Sequence, residues 1–140
     1  MLKKKINKWL YEKVFTLLRW QANVKLNYIS VEGHRIAYLE GGNTEKNTLI
    51  LIHGSNDEKE SWLLMVSHLK KQYHLILIDL LGCGQSALPE DFDYAIPSQA
   101  TFLEKTIKNL IAEKNITNFH LAGHSMGGLI VLLSESLPID

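Results

Sequence analysis

The sequence predicts an α/β fold, with a mostly parallel sheet carrying helices on both faces. Thr48–Ile52, Leu75–Ile78 and Phe119–Ala122 are apolar on consecutive positions, as strands buried on both faces are. Patterns of helical period separate these three runs. A stretch bearing glycine follows each run directly: His53-Gly54-Ser55, Asp79 to Ser86, and Gly123 to Gly127.

The elements follow in order. Residues 1–26 are expected to form a basic amphipathic helix and residues 27–140 the body of the domain. On a helical wheel Ile6, Trp9, Leu10, Val14, Leu17 and Trp20 share a broad face, with Lys4, Lys5, Lys8, Glu12 and Arg19 roughly opposite. The opening Met1–Lys5 resembles the start of a secretory signal. Glu12, Lys13 and Arg19 break its apolar continuation, and the clean run Val14–Leu18 is too short to span a membrane. Two uses fit such a helix: packing on its own protein, or lying in the headgroup layer of an anionic membrane.

Asn27–Val31 and His34–Leu39 read as two strands joined at Glu32-Gly33, and Gly41-Gly42 ends the second. A helix is expected over Lys59–Lys71, with Trp62, Met65, Val66 and Leu69 inward. Another is expected over Gln99–Lys114, with Ser98 as N-cap and Phe102, Leu103, Ile107, Leu110 and Ile111 on its apolar side. A last helix follows Gly127 and ends near Pro138.

Charge sets some functions aside. Residues 1–25 hold seven Lys and Arg against the single acid Glu12, and the rest of the chain balances them to a net charge of zero. The whole chain is therefore not a nucleic-acid binder by charge, and the basic arm is read separately, with peripheral membrane contact through residues 1–25 as one of its two uses. No Cys/His cluster has metal-ligand spacing, and nothing points to a cofactor. The single cysteine, Cys83, fits a reducing, cytoplasmic compartment, with membrane association through residues 1–25 left open.

The most informative motif is Gly123-His124-Ser125-Met126-Gly127. A run of strand type leads into it and a run of helix type leads out. That arrangement lifts a serine hydroxyl to the apex of a tight turn, where side chains on the flanking glycines would clash.

Taken with His53-Gly54-Ser55, Asp79-Leu80-Leu81-Gly82-Cys83-Gly84-Gln85-Ser86 and the Ser61-Trp62 pair, this motif resembles the α/β-hydrolase family. The match runs from about Tyr28 to the last residue and corresponds to that fold's N-terminal half. The resemblance implies that Ser125 is the nucleophile and forms an acyl-enzyme with a small acyl ester. It also implies that the backbone N–H groups of Ser55 and Met126 form the oxyanion hole. Cleavage of carboxylic esters, esterase- or lipase-like, is the expectation. Ser125 argues against dehalogenase and epoxide-hydrolase relatives, whose nucleophile is an aspartate. Peroxidase-like, C–C-bond-cleaving and amide-cleaving relatives share the same motifs.

Other residues carry plainer expectations. His53 and Asp79 should fix loops, His124 should project away from the serine, and Cys83 should be passive. Tyr28, Tyr38 and Trp62 should pack. In this family an acid and then a histidine follow the serine, whereas all six histidines precede Ser125 and Asp140 is poorly placed to be the acid. The chain is thus expected to be C-terminally truncated, inactive by itself, and bare along its last strand. The alternative is a non-catalytic remnant or binding protein that lacks the triad acid and histidine.

Overall fold

The computed structural model describes residues 2–137, with side chains from residue 7 onward. The side chains of Lys3, Lys4, Lys5 and Ile6, together with Pro138 and Asp140, lie outside the described residues.

A long helix, α1 (Leu2–Ala22), ends at Asn23, whose left-handed φ of 57° turns the chain into β1 (Val24–Val31). β1 pairs antiparallel with β2 (His34–Gly42), from Val24↔Gly41 to Val31↔His34. Glu32 and Gly33, with φ of 51° and 83°, make the two-residue turn whose twist suits a hairpin. β3 (Thr48–Ile52), β4 (His74–Ile78) and β5 (Phe119–Gly123) run parallel in the order β4-β3-β5, and β2 joins them antiparallel along β4. The five-stranded sheet is therefore mixed, a parallel core with a hairpin on one flank. β5 forms its other edge.

Strand alternation sorts the core by residue type. Ile36, Tyr38, Ile50, Ile52, Ile76 and Ile78 face α3 (Ile96–Lys114) and α4 (Met126–Leu132). Leu39, Leu51, Leu75 and Leu77 face the other way, onto Val66 of α2 (Leu63–Leu69). Each such side chain contributes about 1.5–3 kcal/mol on full burial. Helices thus cover both faces, and every crossover returns the chain to the sheet's N-terminal edge. The functional loops accordingly collect at the opposite end.

Several elements differ from expectation. The helix over Lys59–Lys71 is a 3₁₀ turn, Lys59–Trp62, followed by the short α2. The tighter turn rotates the side chains, so Met65 is 46% exposed while Lys59 is fully buried. α3 starts at Ile96 rather than Gln99, because Pro97 is tolerated in a first helical turn. Ser98 does not cap it. Its hydroxyl donates to Asp93 Oδ2 at 3.0 Å, while Asp93 Oδ1 accepts the Ala95 N–H. α4 stops at Leu132, short of Pro138, and the Ser134 hydroxyl donates back to the Ile130 carbonyl at 2.9 Å. Tyr28 is largely exposed and lies under the Arg35 guanidinium, 4.7 Å from its ring centre, whereas Tyr38 is buried.

The largest departure is in α1. Glu12, Phe15, Arg19 and Ala22, spaced as one helical stripe, are its less exposed residues, and Arg19 is buried at 8%. Leu10, Val14 and Leu17 lie on the far side and are exposed, as are Trp9 and Trp20. The helix turns its basic residue inward and its apolar stripe outward, the reverse of what its wheel suggests.

Candidate active site

Ile52 and Gly123 are register partners in neighbouring parallel strands, so the loops that follow them leave the sheet side by side. The His124 N–H donates to the Ile52 carbonyl at 3.0 Å and stitches the two loops together. Two glycines make the approach close enough. A Cβ on Gly123 would lie 2.4 Å from the Gly127 carbonyl carbon, and one on Gly127 would lie 2.3 Å from the His53 carbonyl oxygen.

Between them sits Ser125, exposed, at φ 54° and ψ −122°. A side chain held in that region costs roughly 1–3 kcal/mol, a strain that persists only where the surroundings impose it. Here the Gly127 N–H donates to the His124 carbonyl at 2.9 Å, and the Leu129 N–H donates to the Ser125 carbonyl at 3.2 Å. Ser125 is thereby fixed at the start of α4, with the Met126 amide next to it.

The second loop meets the first at Gly54. A Cβ there would stand 3.4 Å from the Ser125 Cβ and 3.1 Å from His124 Nδ1. The structure thus gathers Ser125, Met126 and Ser55 at one end of the sheet. The Ser55 and Met126 amides donate to no protein group among the described residues. His124 is exposed, with its Nδ1 against the Gly54 loop.

Beneath these loops lies a layer of buried polar side chains. His53 Nε2 accepts the Leu80 N–H at 3.1 Å, which leaves Nδ1 to donate to the Gly54 carbonyl at 2.8 Å. With both nitrogens engaged and the ring fully buried, His53 holds its loop. Asp79 does the same for the glycine-rich loop. Its Oδ1 accepts the Lys59 N–H at 2.8 Å, and its Oδ2 accepts the Gln85 N–H at 2.8 Å and the Lys59 ammonium at 2.7 Å. Gly84, at φ 50°, comes so close to this carboxylate that a Cβ would stand 2.3 Å from Oδ2.

The sequence does not mark Lys59 as a site residue. Its ammonium donates to Asp79, to Gln85 Oε1 at 2.8 Å and to Glu60 Oε2 at 3.1 Å. Glu60 Oε1 in turn accepts two bonds from Arg19 of α1, one from Nε at 2.9 Å and one from Nη2. The one hint in the sequence is that Asp79, at the end of an apolar strand, needs a buried cation. Nothing local says which.

Burial, and then the charges of Glu60 and Asp79, raise the pKa of Glu58 at the border of this layer. Burial, followed by the charge of Asp79, raises that of the Cys83 thiol, which fits a passive cysteine. A cleft of about 690 Å³ lies between α1 and the glycine-rich loop, lined by Tyr11, Glu12, Tyr28, Arg35, Glu58 and Gln85 among others. It does not reach Ser125. Among the described residues, no group of three His, Cys, Asp or Glu side chains could hold a metal.

At the far end of the sheet His74 Nε2 donates to Glu40 Oε1 at 2.8 Å, and Lys114 donates to Glu40 Oε2 at 2.8 Å. The hydrogen bond from His74, and after it that from Lys114, hold the Glu40 carboxyl down to about 2 against the opposing effect of burial.

Residues 47–133 match the family model described as the alpha/beta hydrolase fold. The chain belongs to the α/β-hydrolase family. Lipase 1 of Psychrobacter immobilis is 32% identical over 131 residues, a span of 92% of this chain and 40% of that one. Lipase 3 of Moraxella sp. (strain TA144) is 32% identical over 120 residues, covering 85% of this chain and 37% of that one. Among solved structures, a membrane phospholipase A described as a bacterial virulence factor superposes with a TM-score of 0.81 at 36% identity. That match covers 92% of this chain and 40% of that one. The chain thus spans about 40% of the length of these α/β-hydrolases.

Proposed function

We propose that the protein is a serine hydrolase that cleaves carboxylic esters, with Ser125 as nucleophile and the Ser55 and Met126 amides as the oxyanion hole. One observation carries this reading: an exposed serine in a strained turn, packed against a second loop whose amide has no protein acceptor among the described residues. Attack of the Ser125 oxygen on the ester carbonyl carbon forms the C–O bond of an acyl-enzyme and releases the alcohol. Water then releases the acid.

Two fixed amide dipoles aimed at the developing oxyanion lower the barrier by about 3 kcal/mol or more. The serine must also lose its proton to a base. Within the described residues His53 has both nitrogens engaged, and His74, the first residue of β4, and His120, the second of β5, lie toward the other end of the sheet. In this family the acid and then the histidine follow the serine, and the reading assigns the proton transfer to that pair rather than to His124, which adjoins Ser125.

A lipid-like acyl ester suits the exposed face of α1. Trp9, Leu10, Val14, Leu17 and Trp20 point outward from a segment carrying a net charge of +6 over residues 1–25. Such a helix lies in the headgroup layer of an anionic bilayer. Among the described residues no helix is long and apolar enough to cross a membrane. The single Cys83 supports the cytoplasmic side as the place of action.

A fluorophosphonate probe tests the nucleophile. The native full-length protein should be labelled at Ser125, and Ser125→Ala should abolish both labelling and hydrolysis of p-nitrophenyl butyrate. Equal turnover in Ser125→Ala would end this reading, and labelling confined to another serine would move the site.

A further inference from the structure

Arg19, Glu60, Lys59 and Asp79 form one buried chain of charges from α1 to the base of the active-site loops, and nothing in the proposed reaction uses it. These four charges balance, two cations against two carboxylates, with the Glu58 carboxyl at the border of the layer. Three of these residues come from the loops around Ser55 and Gly84, and they alone would leave one negative charge in excess. Arg19 supplies the neutralising charge, and it does so from the N-terminal helix.

Its two bonds to Glu60 Oε1 and a third from Nη2 to Gln85 Oε1, at 3.1 Å, are the buried polar anchor of α1. The facing groups are set out on every side. Glu60 and Lys59 come from the 3₁₀ turn, Gln85 from the glycine-rich loop, and Asp79 lies beyond Lys59 at the end of β4. Leu80, the residue after Asp79, donates its N–H to His53 Nε2 at 3.1 Å, and the same His53 holds the Gly54 carbonyl. One end of the chain is thus on a helix whose outer face is free, and the other is on the loop bearing the Ser55 amide.

We propose that Arg19 is a positioning residue that couples the seat of α1 to the geometry of the oxyanion loop through Glu60, Lys59 and Asp79. The inference rests on the catalytic reading above and adds a means of regulating that site. With α1 seated, the cluster is neutral and every carboxylate oxygen keeps its partner. With α1 lifted, Glu60 loses its guanidinium and competes with Asp79 for the Lys59 ammonium. The loop that Asp79 braces then loosens. What seats or lifts α1 from its outer face, with lipid engagement on the seating side, is thereby transmitted to the site without touching it.

Charge arithmetic supplies the test, in the native full-length protein. Arg19→Gln leaves the cluster one negative charge in excess, and the double variant Arg19→Gln/Glu60→Gln returns it to neutrality. Arg19→Lys keeps the charge but loses the fork. Hydrogen exchange of the segments 53–60 and 79–86 is followed in each, together with kcat and KM on p-nitrophenyl butyrate.

The coupling predicts faster exchange in both segments for Arg19→Gln, with kcat down about tenfold to a hundredfold at a KM changed less than twofold. Arg19→Lys and the double variant should recover most of both effects. Unchanged exchange at 53–60 in Arg19→Gln, or a double variant no better than the single, overturns the proposal. Should Arg19→Gln fail to fold, the double variant and Arg19→Lys are compared with wild type, and a tenfold loss in the double variant overturns it. If wild type shows no Ser125-dependent turnover, the catalytic reading fails, and exchange alone decides the coupling.

Discussion

Substituting Gly127 by alanine should damage the site more than the same change at Gly128, one residue on, and the backbone geometry sets the contrast. A Cβ at Gly127 would meet the His53 carbonyl oxygen at 2.3 Å and the Ile52 carbonyl oxygen at 2.7 Å. Ordinary contact begins near 3.4 Å, so the two loops must part by about 1.1 Å, and neither obstacle is a flexible side chain. At Gly128 the nearest atom is the Gly123 carbonyl oxygen at 3.2 Å, which a shift of a few tenths of an ångström relieves. Overpacking of the first kind costs about 1–3 kcal/mol, and the backbone clash puts Gly127→Ala at the top of that range. Parting the loops also moves the Ser55 amide away from Ser125, and a displacement near 1 Å costs roughly a hundredfold in rate. Denaturant unfolding and the rate of fluorophosphonate labelling measure the two effects separately. Gly128→Ala should lose under about 1 kcal/mol. Equal stability and labelling in the two variants would refute the reasoning, because the approach of the two loops would then not depend on the missing Cβ.

Two further outcomes follow from groups away from the serine. Glu40, held down to about 2 from an ordinary 4.5, contributes stability that is complete above its unfolded pKa and is lost as pH falls toward 2. The shift corresponds to an upper bound of about 3 kcal/mol, so Glu40→Gln should flatten the acid limb of a stability-against-pH curve. An acid limb identical in wild type and Glu40→Gln would remove Glu40 from the account. For α1, a Trp9→Ser/Trp20→Ser variant should sediment with phosphatidylglycerol-containing vesicles about tenfold less well or worse. Undiminished sedimentation would show that the outer face of α1 does not meet lipid.

The serine turn was legible in the sequence because its constraints are local. Gly123 and Gly127 are required by backbone contacts within the turn and with the neighbouring strand end, and a G-x-S-x-G pattern between a strand and a helix encodes them. The alternation of Ile and Leu faces in β3 and β4 was likewise readable as strands buried on both sides. The 3₁₀ turn at Lys59–Trp62 was not, because helical period continues through it while the register of its side chains changes. Nor could a wheel find the partner of Arg19, which is 41 residues away in the sequence.

The orientation of α1 balances two effects of similar size. Turning the apolar stripe inward would bury Leu10, Val14 and Leu17, worth about 1.5–3 kcal/mol each at full burial, and less for a helix lying on the surface. Turning Arg19 outward would strand Glu60 and leave a buried cluster with an uncompensated charge, a loss of about 3–5 kcal/mol. The two are comparable in water, so neither orientation wins by a wide margin there. An apolar medium over the outer face changes the balance. It buries the leucine and tryptophan side chains without disturbing the Arg19 pair, and both contributions then favour the same orientation. The seat of α1 should therefore be firmer on a lipid surface than in solution, and the loop that Arg19 braces should be firmer with it.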